Sequence, residues 1–173
     1  STEEVVVVEY VLLPSKPEER LELPHDDWVS GVSCLATGHV LSSSYDGHAR
    51  VWAPTDDSGS AKQGEPLAML SGHAGSVTCC SWAQGGSGET LAMTGGKDFM
   101  VRAWGLVMTG GGDVTWAQVY RYSGHEGSVQ AVASQGARVC SGSWDKTVKI
   151  WDSPDSSEIA EALAESRGRG AVA

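Results

Sequence analysis

The chain has 173 residues and a formal net charge of −10, and 40% of its residues are hydrophobic. It contains no apolar run of about 18 residues and no charged start followed by an apolar core, so the sequence predicts neither a membrane-spanning helix nor a secretory signal. The acids concentrate at the two ends: residues 1–27 carry −6 and residues 152–173 carry −3. A near-neutral middle offers no basic surface to a phosphate backbone, so we expect no direct nucleic-acid binding and no membrane partner.

Residues 1–24 contain one predicted strand followed by a polar link. The strand is the run EVVVVEYVLL from Glu4 to Leu13, which is rich in β-branched residues and is followed by Pro14. No neighbouring strand is predicted that would form a meander with it. The run therefore predicts an ordinary edge strand or the end of an upstream domain.

Three stretches then repeat one organisation, at residues 25–71, 72–123 and 124–152. In the third, short strands are predicted at Gln130–Ala133, Arg138–Ser141 and Thr147–Trp151, with a tight polar turn before the last one. Three strands in so few residues predict an antiparallel meander. The first two stretches each add an outer strand, predicted at Pro66–Leu70 and at Trp116–Tyr122. Residues 153–173 are acidic and rich in Ser and Ala, and they predict a flexible spacer with a marginal helix over Ser157–Ser166.

Each stretch carries a His, a Ser or Thr, an Asp and a Trp in one spacing. The hydroxyl residue lies four positions before the Asp, and the Trp six positions after it. Because an unpaired charge near an apolar core is costly, we predict a chain of hydrogen bonds from indole through hydroxyl and imidazole to carboxylate. The three predicted tetrads are His25, Ser42, Asp46 and Trp52; His73, Thr94, Asp98 and Trp104; and His125, Ser141, Asp145 and Trp151.

This spacing resembles the structural tetrad of the WD-repeat family. The resemblance implies an all-β fold, a WD-repeat β-propeller in which each stretch forms one blade. Ring-shaped members commonly complete their last blade with the first strand of the chain, and Glu4–Leu13 is placed where that strand would be. Propellers usually have four to eight blades, so we expect a partial propeller of about three blades with apolar faces open at both ends.

The sequence also disfavours catalysis and ligand binding. His125, Asp145 and Ser141 could suggest a hydrolase triad, but the trio recurs three times with a tryptophan, and no GxSxG nucleophile motif is present. The glycine-rich stretch Thr109–Asp113 lacks GxGxxG and a following helix, which argues against a phosphate site. We therefore predict no catalytic residue and no cofactor.

Metal binding is also disfavoured by the sequence. Three of the five histidines belong to the predicted tetrads, and His39 and His48 stand singly at predicted turns. The cysteines lie in strand-like stretches without CxxC spacing, so reduced thiols are expected in place of a zinc site or a disulfide. They are Cys34, Cys79, Cys80 and Cys140.

A narrower resemblance covers nearly the whole chain. The stretches EYV (9–11), HDDWVS (25–30), GHEGSV (124–129) and CSGSWDK (140–146) resemble the WD-repeat subunit that joins Pescadillo and Bop in the PeBoW ribosome-biogenesis complex. HDDW in place of the usual GH is the most specific sign. Departures from the family pattern are mild: Pro24 replaces a glycine, and Ala53 and Gly105 replace the aspartate after the blade tryptophan.

The narrower resemblance implies a non-enzymatic scaffold for maturation of the large (60S) ribosomal subunit and its rRNA. Its expected partners are Pescadillo, a Bop-type WD-repeat protein and the pre-60S particle, in the nucleus, nucleolus and nucleoplasm. Members of this subfamily have seven blades and bind the midasin ATPase through a ubiquitin-like domain. The residues of this sequence predict about three blades and no such domain, so a midasin contact is expected only through that domain. The alternative is a WD-repeat adaptor of another pathway, such as a ubiquitin-ligase substrate receptor or a signalling scaffold.

A partner-binding surface is predicted where the tetrad turns emerge. The residues just before the three tetrad aspartates are Tyr45, Lys97 and Trp144, and the incoming loop of the first stretch adds Trp28. Tyr and Trp in exposed turns are enriched where binding energy concentrates. The alternative is that Trp28 and Trp144 pack on neighbouring loops and only stiffen this face.

Overall fold

The computed structural model describes residues 22–53, 64–86, 88–108 and 112–160. These residues form three antiparallel sheets and one short helix over 156–160. The strand predicted at Glu4–Leu13 lies outside them. The strands are β1 Val29–Cys34, β2 Val40–Ser44, β3 His48–Trp52, β4 Ala68–Ser71, β5 Val77–Gln84, β6 Thr90–Gly96, β7 Val101–Met108, β8 Val114–Tyr122, β9 Val129–Gln135, β10 Arg138–Ser143 and β11 Val148–Asp152.

Each repeated stretch forms one sheet, which we call blades 1, 2 and 3. Blade 1 has the order β1-β2-β3-β4 and blade 2 the order β5-β6-β7-β8, while the described part of blade 3 is β9-β10-β11. Neighbouring strands in each sheet are antiparallel neighbours in sequence, as short turn-linked strands allow. The predicted all-β class and the meander organisation are confirmed.

Two apolar clusters hold the blades face to face. Leu41 and Val51 of blade 1 meet Trp82 and Trp104 of blade 2, and Met93 of blade 2 belongs to a second cluster shared with blade 3. Successive residues of a strand point to opposite faces, so β6 serves both clusters. Burial of one such side chain contributes about 1.5–3 kcal/mol to the stability of the fold. The two clusters together cover both faces of blade 2.

The innermost strands of the three blades are joined by side-chain bonds to backbone oxygens. Ser30 Oγ on β1 donates to Val77 O on β5 at 2.7 Å, and Thr78 Oγ1 on β5 donates to Val129 O on β9. We call these two bonds the inner latches. They occupy the same place in successive blades and set β1, β5 and β9 side by side, which is the arrangement of consecutive blades in a propeller.

Trp82 on β5 links all three blades. Its indole Nε1–H donates to Ser33 O of blade 1 at 3.1 Å, and its own carbonyl accepts from Ser134 Oγ of blade 3 at 2.6 Å. The ring lies in the cluster between blades 1 and 2, against Trp116 at a centroid distance of 5.7 Å. Trp82 thus contacts both neighbouring blades, blade 1 through its indole and blade 3 through its carbonyl.

The segment predicted as a spacer begins with residues that are packed on blade 2. Ser153 Oγ donates to Gln84 O at 3.1 Å, and Pro154 O accepts from Gly86 N at 3.2 Å. Asp155 then caps the short helix: its carboxylate accepts from the Glu158 N–H, and the Glu158 carboxylate accepts from the Asp155 N–H. This reciprocal capping starts the helix at 156, and the part of the predicted helix beyond 160 lies outside the described residues.

Large apolar side chains stay exposed on the outward faces of blades 1 and 3. Val32 is exposed on blade 1, and Val148 and Ile150 are exposed on blade 3. Their strands turn the opposite faces to blade 2, where the two clusters lie. No helix in the described parts of the chain has the length and apolar character needed to cross a membrane.

Candidate protein-interaction site

The tetrad residues of blades 2 and 3 form continuous chains of hydrogen bonds. In blade 3, Trp151 Nε1–H donates to Ser141 Oγ at 2.8 Å, His125 Nε2 lies 2.8 Å from the same oxygen, and His125 Nδ1 lies 2.6 Å from Asp145 Oδ2. Blade 2 repeats the chain with distances of 2.9, 2.8 and 2.8 Å, through Trp104, Thr94, His73 and Asp98.

These contacts fix the direction of each hydrogen bond for a neutral imidazole. An ionised carboxylate only accepts, so His73 Nδ1–H donates to Asp98 and His73 Nε2 accepts from Thr94 Oγ1–H. The hydroxyl in turn accepts the Trp104 indole proton. Each polar group of this tetrad thus has a hydrogen-bond partner. Hydrogen bonds linked in such a network strengthen one another in a buried environment.

Blade 1 departs from this pattern because an arginine lies between the histidine and the aspartate. His25 Nδ1 and Asp46 Oδ2 are 3.7 Å apart, beyond hydrogen-bond distance. Arg50 Nη1 instead lies 2.5 Å from His25 Nδ1 and 2.6 Å from Asp46 Oδ2. The predicted His25–Asp46 hydrogen bond is therefore wrong. Arg50 takes this position because the Asp26 carboxylate accepts from Arg50 Nη2 at 2.9 Å and holds the guanidinium in place.

The guanidinium changes which imidazole nitrogen of His25 carries the proton. Arginine only donates, so His25 Nδ1 must accept from Arg50, and the proton moves to Nε2, which donates to Ser42 Oγ at 2.7 Å. Ser42 Oγ also accepts the Trp52 indole proton at 2.8 Å. Blade 1 therefore carries the opposite histidine tautomer from blades 2 and 3.

The same contacts shift the acid–base behaviour of the tetrads. Burial, followed by the charge of Arg50, holds the pKa of His25 below its usual value. Burial by itself would raise the pKa of Asp98, but hydrogen bonds from His73, the Ala74 N–H and Arg102 outweigh it and leave that pKa well below the ordinary range. The bond from Thr147 is the largest cause of the low pKa of Asp145. Asp98 and Asp145 consequently act as fixed acceptors.

The tetrads leave no hydroxyl for nucleophilic chemistry. Ser141 Oγ is buried and is engaged by both Trp151 and His125. A catalytic serine needs access to its substrate. Among the described residues, no three His, Cys, Asp or Glu side chains come together in a way that could hold a metal ion.

Three of the four predicted partner-binding residues form one cluster at the turn ends of blades 1 and 2. The Trp28 and Tyr45 rings are stacked with centroids 6.3 Å apart, and Lys97 Nζ lies 4.9 Å from the centre of the Tyr45 ring. Trp28 is 78% exposed and Tyr45 37% exposed. We call Trp28, Tyr45 and Lys97 the rim cluster.

Trp144 occupies the corresponding turn of blade 3 and has no ring contact with the rim cluster among the described residues. It is 70% exposed, and its backbone N–H donates to Ser128 O at 3.0 Å. The four residues thus divide into a cluster of three and one separate indole.

Sequence reasoning missed the residues that arrange this end of blade 1. Asp26 places Arg50, and Asp27 Oδ1 accepts from the Trp28 N–H at 2.7 Å. The HDDW pattern by itself predicts no role for either carboxylate. The available signal was a basic residue two positions before each blade tryptophan, at Arg50, Arg102 and Lys149.

The repeats and the full-chain relatives agree with this architecture. The model of the WD domain, G-beta repeat, matches residues 18–53, 64–105 and 116–152. The chain is 34% identical over 180 residues to the Ribosome biogenesis protein WDR12 homolog of Chlamydomonas reinhardtii, which covers 95% of this chain and 38% of that protein. It is 32% identical to the Ribosome biogenesis protein YTM1 of Coccidioides immitis, over 92% of this chain and 33% of that protein.

A relative with another name aligns with a shorter part of the chain. Human F-box/WD repeat-containing protein 9 is 38% identical over 107 residues, 59% of this chain and 23% of that protein. The chain spans less than two fifths of the length of each of these three relatives. Because the matched repeats coincide with three face-to-face sheets and make up most of its length, the chain belongs to the family of WD domains with G-beta repeats, as part of a β-propeller.

Proposed function

We propose that this protein is a non-enzymatic scaffold in ribosome biogenesis, acting in maturation of the large (60S) subunit and its rRNA. The observation that carries the proposal is the pair of relatives named ribosome biogenesis protein, from an alga and a fungus, which each align with more than nine tenths of this chain. The proposed partners are a Bop-type WD-repeat protein, Pescadillo and the pre-60S particle. The proposed place of action is the nucleus, chiefly the nucleolus and nucleoplasm.

The geometry supports binding over catalysis. The repeated Ser/Thr, His and Asp groups are consumed in buried hydrogen-bond chains. Two stacked aromatic rings, by contrast, are held at the surface by polar turns and contribute to neither apolar cluster. Tyr and Trp in such places are the residue types that dominate protein interfaces. The rim cluster and Trp144 are the proposed contact surface.

Affinity purification of the full-length protein, followed by identification of the captured proteins, tests the proposal. We expect recovery of a Bop-type WD-repeat protein together with Pescadillo. Recovery of ubiquitin-ligase or signalling components in their place would transfer the protein to the alternative class of WD adaptors. Val114→Ala provides a matched control for rim variants, because Val114 is an exposed apolar residue on the hairpin of blade 2, away from the tetrad turns.

A further inference from the structure

The Trp28 indole is an unusually open aromatic surface for a residue that stacks on another ring. It is 78% exposed although its neighbour Tyr45 lies only 6.3 Å away, ring centre to ring centre. Its backbone is held on both sides: the N–H donates to Asp27 Oδ1, and the carbonyl accepts from the Tyr45 N–H at 2.9 Å. The ring is therefore presented by a fixed turn, which lowers the ordering cost of binding through it.

The aromatic pair already accepts one cation. Lys97 crosses from blade 2 and places its ammonium 4.9 Å from the centre of the Tyr45 ring, within the range of a cation–π contact. The negative faces of aromatic rings attract positive charge, and indole does so more strongly than phenol. The stronger of the two rings, Trp28, has no cation over it among the described residues.

The residue before the open indole carries a carboxylate with unused hydrogen-bonding capacity. The Asp27 side chain accepts only the Trp28 N–H in the described parts of the chain, and no cation there pairs with it. Its neighbour Asp26 differs, because it is bound to Arg50 at 2.9 Å. Asp27 therefore supplies a negative charge that nothing described in the molecule neutralises.

We propose that Trp28 and Asp27 form a receptor for an arginine side chain of a protein partner. A planar guanidinium can stack on an indole while donating to a neighbouring carboxylate, whereas a lysine ammonium offers no plane to stack. The inference rests on the proposed scaffold function and specifies the chemistry of its contact. A nucleic-acid base could also stack on Trp28, but Asp26 and Asp27 beside it and the net charge of −10 disfavour a phosphate backbone there.

The test uses the full-length protein labelled with ¹⁵N and a short peptide of alternating arginine and glycine. The Trp28 indole signal is identified by its loss in Trp28→Phe. We expect the arginine peptide to shift this signal, the same peptide with citrulline to leave it in place, and the lysine peptide to bind more weakly. Asp27→Asn should weaken binding of the arginine peptide by about threefold, the size expected for an exposed charge contact. Asp113→Asn, an equal charge change on the blade 2 hairpin, should not.

The Trp144 indole, exposed in a turn of another blade, is the internal control. Equal shifts of Trp28 and Trp144, or equal binding of the citrulline peptide, would overturn the arginine receptor. A Trp28 shift with single-stranded RNA but not with the peptide would overturn it in favour of base stacking. If the arginine peptide does not bind but a Bop-type partner is still captured, only the arginine site is refuted. If neither the peptide nor the partner binds, the proposed function is refuted as well.

Discussion

The aspartates at the turns have a structural role that a single substitution should expose. Asp98 accepts from His73, from the Ala74 and Met100 N–H groups and from Arg102. Asp98→Ala leaves these donors without their acceptor, so the free energy of unfolding should fall by about 2–4 kcal/mol. Chemical denaturation measures the change. Thr94→Ser keeps the tetrad hydroxyl that blades 1 and 3 already use, and we expect it to stay within about 1 kcal/mol. An Asp98→Ala protein as stable as the parent contradicts the assignment.

The reversed histidine of blade 1 should make stability sensitive to mild acid. The pKa of His25 is lowered in the folded protein, so below about pH 6.5 the unfolded chain takes up a proton that the folded one refuses. Stability should therefore fall as the pH drops from that value towards the folded pKa. Melting temperatures across this window measure it. His25→Asn should flatten the decline. An unchanged slope in the His25 variant would refute the cause.

Partner capture provides a third test at single side chains. Tyr45 and Trp144 lie in exposed turns, so their removal should keep the melting temperature within a few degrees of the parent. The double variant Tyr45→Ala, Trp144→Ala should weaken partner capture by about 2 kcal/mol, some thirtyfold, if both rings contact the partner. Capture by the full-length protein is the measurement. Undiminished capture would move the contact to the blade sides or to the acidic C-terminal segment.

The turns between the second and third strands of each blade show which residue geometry the repeats demand. The residue after each tetrad aspartate has a positive φ: Gly47 at 90°, Phe99 at 69° and Lys146 at 69°. A left-handed residue with a side chain costs roughly 1 kcal/mol relative to glycine. Lys146→Gly should therefore stabilise the protein by about 0.5–1 kcal/mol, and Gly47→Ala should destabilise it by about as much. Both changes are measured by denaturation, and a destabilising Lys146→Gly would show that its side chain contributes contacts.

The blade elements were more accessible to sequence reasoning than their connections. Alternating apolar positions and the tetrad spacing predict the inner strands of each blade, because both are local properties of the chain. The insertion of Arg50 depends on Asp26, which lies 24 residues away, and no local pattern reports which aspartate will hold it. The docking of Ser153 likewise depends on a distant carbonyl, that of Gln84. Contacts of this kind emerge only when the blades are assembled.

In the described part of the molecule, blade 2 is covered on both faces, whereas blades 1 and 3 are each covered only on the face towards blade 2. Val148 and Ile150 of blade 3 are exposed, and so is Val32 of blade 1. The 173-residue chain alone should bind a hydrophobic dye and melt broadly, whereas a version with further blades should unfold cooperatively at a higher temperature. Val148→Thr with Ile150→Thr should reduce the dye signal. A sharp, monomeric melt of the chain by itself would mean that these faces are closed in another way.

The inner latches point in one direction along the chain. Each donor lies on the first strand of one blade, and its acceptor is a carbonyl at the start of the first strand of the next blade. A nascent chain leaves the ribosome in this same order. The latch of blade 1 needs only the first residues of blade 2, and the latch of blade 2 needs only the first residues of blade 3. Each blade can therefore be joined to the next as soon as a short span of newly synthesised chain has left the ribosome.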